Sequence, residues 1–150
     1  MTPGAGAVVV TGAARGIGAA IATRFAADGY TVIGVDRDGD GLKEVMTELP
    51  GAQAVVGDVT DEAVMEAACE RGAAHGLVAL VANAGIARPG RSLDYPREAW
   101  DQILAVDLTA AFLGARAADP SGQLLRRCHG PGRSAAQRRT HFGVAVTAVP

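Results

Sequence analysis

Ala7-Val8-Val9-Val10-Thr11-Gly12-Ala13-Ala14-Arg15-Gly16-Ile17-Gly18 begins as an uninterrupted apolar run and ends as a glycine cluster. Small and branched apolar residues in succession, without polar alternation, predict a short strand covered on both faces. Beyond the glycines, Ile17, Ala20, Ile21 and Phe25 recur at helical spacing, and Gly29 ends the pattern. The stretch therefore predicts a strand, a sharp turn and a helix over residues 16–28. Gly12, Gly16 and Gly18 permit the turn and let a ligand approach the backbone closely. A helix starting there offers unpaired N–H groups and its positive dipole end to an anion such as a pyrophosphate. The spacing is G-x-x-x-G-x-G, not G-x-G-x-x-G, so its strand–helix setting carries the reading.

Outward from this unit, the same alternation repeats. Strands are predicted at 31–35, 52–56 and 77–81, and helices at 40–49, 61–71 and 96–117. Asp40 is a candidate N-cap for the second helix, and Thr60 or Asp61 for the third. In the last helix, Trp100, Ile103, Leu104, Leu108 and Phe112 are spaced for burial. Apolar strands alternating with helices predict an α/β fold, a Rossmann-like doubly wound parallel sheet. About four strands, in the order 3-2-1-4, make it incomplete. Ligands of such sheets bind past the carboxyl ends of the strands.

Composition supports a globular domain. The chain has 150 residues, 49% of them hydrophobic, and a net charge of −2. A chain of this length buries roughly two-thirds of its unfolded surface. The near-neutral balance predicts no nucleic-acid partner and no attraction to an anionic membrane. No stretch is long and apolar enough to span a bilayer. Two cysteines, Cys69 and Cys128, make no disulfide framework and suit a cytoplasmic setting. The charge is unevenly spread. Residues 1–120 hold all sixteen acids against nine bases, whereas 121–150 hold five arginines and no acid.

Each strand end carries a candidate. After the second strand, Asp36 can accept hydrogen bonds from both hydroxyls of an adenosine ribose and repel a 2′-phosphate. This predicts NAD rather than NADP, although the neighbouring Arg37 could receive that phosphate. After the third strand, Asp58 can accept from an adenine amino group and Val59 can pack on the ring. After the fourth, Asn83 can tie strand ends through its amide, while Ala84 and Gly85 leave room for a ligand against the backbone.

These segments together resemble the short-chain dehydrogenase/reductase family. Thr11-Gly12-x-x-x-Gly16-Ile17-Gly18 is similar to its cofactor motif, and Asp58-Val59 to its adenine-contacting pair. Asn83-Ala84-Gly85-Ile86 is similar to its fourth-strand motif, and residues 100–112 to its interface helix. The resemblance spans residues 5–118. It implies a nicotinamide dinucleotide cofactor, hydride exchange with an alcohol or carbonyl, and homo-oligomers through helix 96–117. It adds Arg15 and Ile17 to the cofactor-lining residues.

Two departures stand against that pattern. The family's helix asparagine, part of a proton relay, is Asp107 here. The family also needs a serine ending a fifth strand, then Tyr-x-x-x-Lys, because a tyrosine of pKa ~10 requires a nearby lysine to exchange protons at neutral pH. The only lysine is Lys43, and neither Tyr30 nor Tyr95 stands at that spacing from it. No catalytic residue is identifiable, Tyr95 reads as a loop or rim residue, and an inactive chain is expected. The domain expected from the pattern covers residues 1–118. Residues 119–150 read as an irregular Arg/Gly/Pro-rich tail, the pattern a shifted reading frame in GC-rich DNA produces, with 142–149 apolar enough for a strand. Cys128, His129 and His141 match no usual metal spacing, so no metal is expected. The alternative to a truncated, inactive oxidoreductase is a non-catalytic NAD-binding module or partner subunit.

Overall fold

The stretch Ala7–Thr11 (β1) forms the middle of a parallel sheet and is buried along its whole length. A computed structural model describes residues 6–119 and 143–146. After β1 come α1 (Gly16–Ala27), β2 (Thr31–Asp36), α2 (Gly39–Thr47), β3 (Gln53–Val56), α3 (Glu62–Ala73) and β4 (Leu77–Ala82). A short 3-10 turn (Ser92–Asp94) precedes α4 (Arg97–Leu104), a π-helical segment (Ala105–Thr109) and α5 (Ala110–Ala118). The sheet order is β3-β2-β1-β4, the expected 3-2-1-4, with a further strand beside β4.

That strand, β5 (Gly143–Val146), falls within the 142–149 stretch of the tail that reads as apolar enough for a strand. It runs parallel to β4, with Ala79 opposite Gly143 and Ala82 opposite Val146. Its valine-rich sequence suits a strand, and pairing it satisfies the backbone groups that β4 would otherwise leave open. The tail's arginines, Ser121, Ser134, Cys128, His129 and His141 lie outside the described residues.

Alternation along each strand divides the core between two faces. On one, Val9, Ile33, Val35 and Leu80 meet Met65, Ala68 and Cys69 of α3 and Ala110 of α5. On the other, Val8, Val10, Val32 and Val81 meet Ala22 of α1 and Leu42 and Met46 of α2. Helices thus cover both faces, which explains why the strands read as continuous apolar runs. Burial pushes the Cys69 thiol up to about 11, making it a core residue and not a nucleophile.

Three local readings are revised. The N-cap of α2 is Asp38, whose carboxylate accepts from the Gly41 N–H at 3.1 Å, and not Asp40, which sits in the first turn. In α1, Gly18 and Ala22 are buried, while Ile17 is 53% exposed. The helix read as continuous over 96–117 contains the π segment, and its large apolar residues Trp100, Leu108 and Phe112 point outward. Small residues, Ala110 and Gly114, make the close approach instead. A Cβ on Gly114 would lie 2.9 Å from Leu80 Cδ2 and 3.0 Å from Met65 Cε. Among the described residues, no helix is long and apolar enough to cross a membrane.

Leu80 is fully buried on β4 beneath α5. Leu80→Ala should lower unfolding free energy by about 2–5 kcal/mol, read from urea denaturation with an unchanged slope. A smaller loss would mean that α5 does not pack there.

Candidate functional site

The carboxyl ends of β1, β2, β3 and β4 surround one cleft of about 280 Å³. At its centre is the turn after β1. Gly12 has φ +67°, and a Cβ on it would lie 3.0 Å from both Ala84 Cα and Asn83 Nδ2. Gly18, in the first turn of α1, lies so close to β1 that an added Cβ would overlap the Gly12 carbonyl oxygen. Gly16 has φ +57° with open space around it; it opens the helix but does not line the cleft. The N-cap residue, Arg15, makes no side-chain cap, and the first turn carries no acid. The start of α1 therefore presents its positive end beside Arg15, Ile17 and Gly18, all of which line the cleft.

On the β2 side stands Asp36. Its Oδ2 accepts from the Ala14 N–H and its Oδ1 from the Asp38 N–H, both at 3.0 Å. Two backbone donors thus fix the carboxylate while lone pairs remain for a ligand. At the β3 end, Asp58 Oδ1 accepts from the Thr60 N–H at 2.9 Å and the Thr60 hydroxyl at 2.7 Å. These bonds hold the Asp58 carboxyl below its ordinary range, with a smaller contribution from the Arg37 charge. Val59 beside it is buried yet borders the cleft.

The β4 side depends on a residue whose role the sequence did not disclose. The buried Thr11 hydroxyl accepts from the Asn83 and Ala84 N–H groups, each at 3.0 Å, and reaches the Val81 carbonyl at 3.4 Å. Asn83 returns the link: its Nδ2 donates to the Thr11 carbonyl at 3.0 Å. Asn83, Ala84 and Gly85 are thereby held along the cleft. Next, Ile86 N–H donates to Asp107 Oδ1 at 2.9 Å. An aspartate fills this acceptor position as an amide oxygen would, but its second oxygen cannot donate.

Of the residues singled out in the sequence, Gly12, Arg15, Ile17, Gly18, Asp36, Asp58, Val59, Asn83, Ala84 and Gly85 meet at this cleft, and Gly16 does not. Arg37, Gly57, Ile86 and Val106 also line it. The first three adjoin recognised motif residues. Val106 arrives on the π segment, which no sequence period announces. Tyr30 packs edge-to-face on Phe25, with ring centroids 5.6 Å apart, away from the cleft.

Thr11→Val should take the hydroxyl acceptor from the part-buried Ala84 N–H and leave the Asn83 N–H only the Val81 carbonyl at 3.1 Å, lowering stability by about 1–3 kcal/mol, whereas Thr11→Ser should cost about 1 kcal/mol or less. Thermal and urea unfolding of the pair check this. A loss larger for Thr11→Ser than for Thr11→Val would show that the methyl group, not the hydroxyl, matters.

Comparison with known proteins places this arrangement. The family model described as short chain dehydrogenase matches residues 6–130. Galactitol 2-dehydrogenase (L-tagatose-forming) of Cereibacter sphaeroides is 41% identical over 111 residues, covering 72% of this chain and 44% of that protein. D-threitol dehydrogenase of Mycolicibacterium smegmatis is 36% identical over 115 residues, covering 73% and 44%. The crystal structure of 3-ketoacyl-(acyl-carrier-protein) reductase from Brucella melitensis complexed with NADH superposes with a TM-score of 0.72 at 36% identity, covering 77% of this chain and 49% of that one. The chain spans less than half the length of these relatives. With most of its length matched by the family model and its strand-end residues gathered at one cleft, the chain belongs to the short-chain dehydrogenase family.

Proposed function

We propose that this chain is the dinucleotide-binding half of a nicotinamide-dependent oxidoreductase, which holds NAD at the cleft and, as it stands, transfers no hydride. The observation that carries the reading is the meeting of the Gly12–Gly18 cradle, Asp36 and Asp58 around a single cleft. The residues fit such a group. Gly12 and Gly18 bring no side chain to the cleft wall, the start of α1 suits a pyrophosphate, and Asp36 suits two ribose hydroxyls. Asp58 and Val59 then take the adenine. When bound, the cofactor supplies hydride exchange with an alcohol or carbonyl.

The fixed negative charge of Asp36 favours NAD over NADP, since a 2′-phosphate would meet it directly. Arg37 follows it in the chain and also lines the cleft, and its charge helps keep the Asp58 carboxyl ionised. Chemistry needs more than binding. A proton must pass to or from the substrate oxygen, and no tyrosine here has a lysine at the required spacing. Tyr95 spends its phenol hydrogen on the Arg88 carbonyl at 2.6 Å. The pairing of β5 with β4 favours a second reading, a non-catalytic NAD-binding module in which residues beyond 118 belong to the fold.

Titration of the 150-residue chain with NADH and NADPH, followed by nicotinamide fluorescence, tests both points. NADH should bind about tenfold or more tightly than NADPH, and no carbonyl in a substrate panel should oxidise it. Equal affinities would remove the NAD preference. Binding of neither would remove the cofactor reading, and turnover would remove the inactive one.

Association rests on the last helical stretch. Trp100, Leu108 and Phe112 are 51%, 64% and 60% exposed along α4, the π segment and α5. Arg116 lies over Phe112 at 5.7 Å and pairs with Glu62, so the stripe has a charged border. We assign this face to a second copy of the chain, because an apolar stripe of this kind on a helix requires cover. Light scattering after size exclusion should give a dimer for the native chain and a monomer for Phe112→Glu. A native monomer would overturn the assignment.

A further inference from the structure

Beyond Asn83 the backbone runs along the cleft through Gly85 and Ile86, then must leave it to reach α4. Two side chains hold this departure. Asp107 takes the Ile86 N–H. Farther along the chain, Tyr95 donates its phenol to the Arg88 carbonyl at 2.6 Å. Its ring also covers Gly90, where a Cβ would lie only 2.7 Å from Cδ2 and Cε2. Residues 88–95 are thereby closed into a loop by one half-buried aromatic side chain. The links between Arg91 and Asp94, a 3.2 Å backbone hydrogen bond and an exposed ion pair at 3.9 Å, lie inside that loop and do not reach back to Arg88. Ile86, two residues before the pinned carbonyl, lines the cleft.

We propose that Tyr95 is a positioning residue for the β4 side of the cleft: its phenol sets the backbone of residues 85–88, whose Gly85 and Ile86 line the wall against which the half of a dinucleotide remote from its adenosine rests. This rests on the reading of the cleft as an NAD site. With adenosine held between Asp36 and Asp58, and the pyrophosphate at the start of α1, the remaining ribosyl-pyridine half falls beside Gly85 and Ile86. Tyr95 acts through the backbone it fixes and exchanges no proton, because its hydrogen is committed to the Arg88 carbonyl.

The test uses the full chain and two substitutions that loosen the same pin differently. Tyr95→Phe removes the hydrogen bond and keeps the ring. Gly90→Ala keeps the phenol and displaces the ring. Calorimetry with NADH and with 5′-AMP separates the halves of the cleft. Both variants should weaken NADH binding by about three- to tenfold, the effect of one lost hydrogen bond, and leave 5′-AMP binding unchanged. Amide exchange at residues 86–88 should quicken in both. Unchanged NADH binding, or equal weakening of NADH and 5′-AMP, overturns the proposal while leaving the cofactor site intact. A native chain that binds neither ligand overturns the cofactor reading and this inference together.

Discussion

The Thr11 hydroxyl is the point on which the cleft depends. Parallel strands joined by distant crossovers do not align their ends automatically, and the ends of β1 and β4 are separated by some seventy residues of chain. A buried hydroxyl that satisfies the N–H groups of Asn83 and Ala84 brings those ends into fixed register. The reciprocal bond from Asn83 to the Thr11 carbonyl closes the link. Buried polar groups carry a heavy penalty when unpaired, so this small network permits one arrangement and disfavours slippage. Asp36 achieves the same on the other flank, where its carboxylate accepts from the backbone that follows β1, at Ala14, and from the backbone that follows β2, at Asp38.

Glycine supplies the complementary constraint, and at two positions it is a matter of space. Gly18 allows α1 to start almost in contact with the Gly12 carbonyl, and Gly114 allows α5 to approach Leu80 and Met65. The first brings a helix N-terminus to the cleft. The second brings the preceding π segment over the sheet, and with it Val106 and Asp107. A side chain at either position would push the helix away and change the cleft, and at Gly114 it would do so without altering any residue in its wall. Binding geometry and core packing are therefore not separable in this chain.

The motif residues were legible because each sits at or just past the end of a strand whose apolar run is itself legible. Gly12, Asp58 and Asn83 lie just past their strands, and Asp36 is the last residue of β2. Helix 96–117 was legible as a helix, but its faces were not. Large apolar residues at helical spacing normally mark the buried side, yet Trp100, Leu108 and Phe112 face outward and Ala110 and Gly114 face the sheet. The extra residue of a π turn rotates the remainder of the helix, and no hydrophobic period records that rotation. Likewise, a threonine at a strand end reads as an ordinary β-former, and only its distance to Asn83 and Ala84 reveals the hub. Asp38 displaced Asp40 as the cap because either acid suits the role and helix ends vary by a residue or two.

By itself, the sequence determined the class of fold, the order of the first four strands and the residue types offered at each strand end. These arise from local pattern: apolar runs for buried strands, glycines for tight turns and acids where a ribose would lie. Tertiary structure decided what those residues do together. It selected the hydroxyl that aligns β1 with β4, turned Trp100, Leu108 and Phe112 outward and set β5 against the edge of β4. It also closed the loop beside the cleft with Tyr95. Each of these depends on contacts between residues apart in the chain, and such contacts are set by packing and by pairing of buried polar groups, which local pattern does not encode.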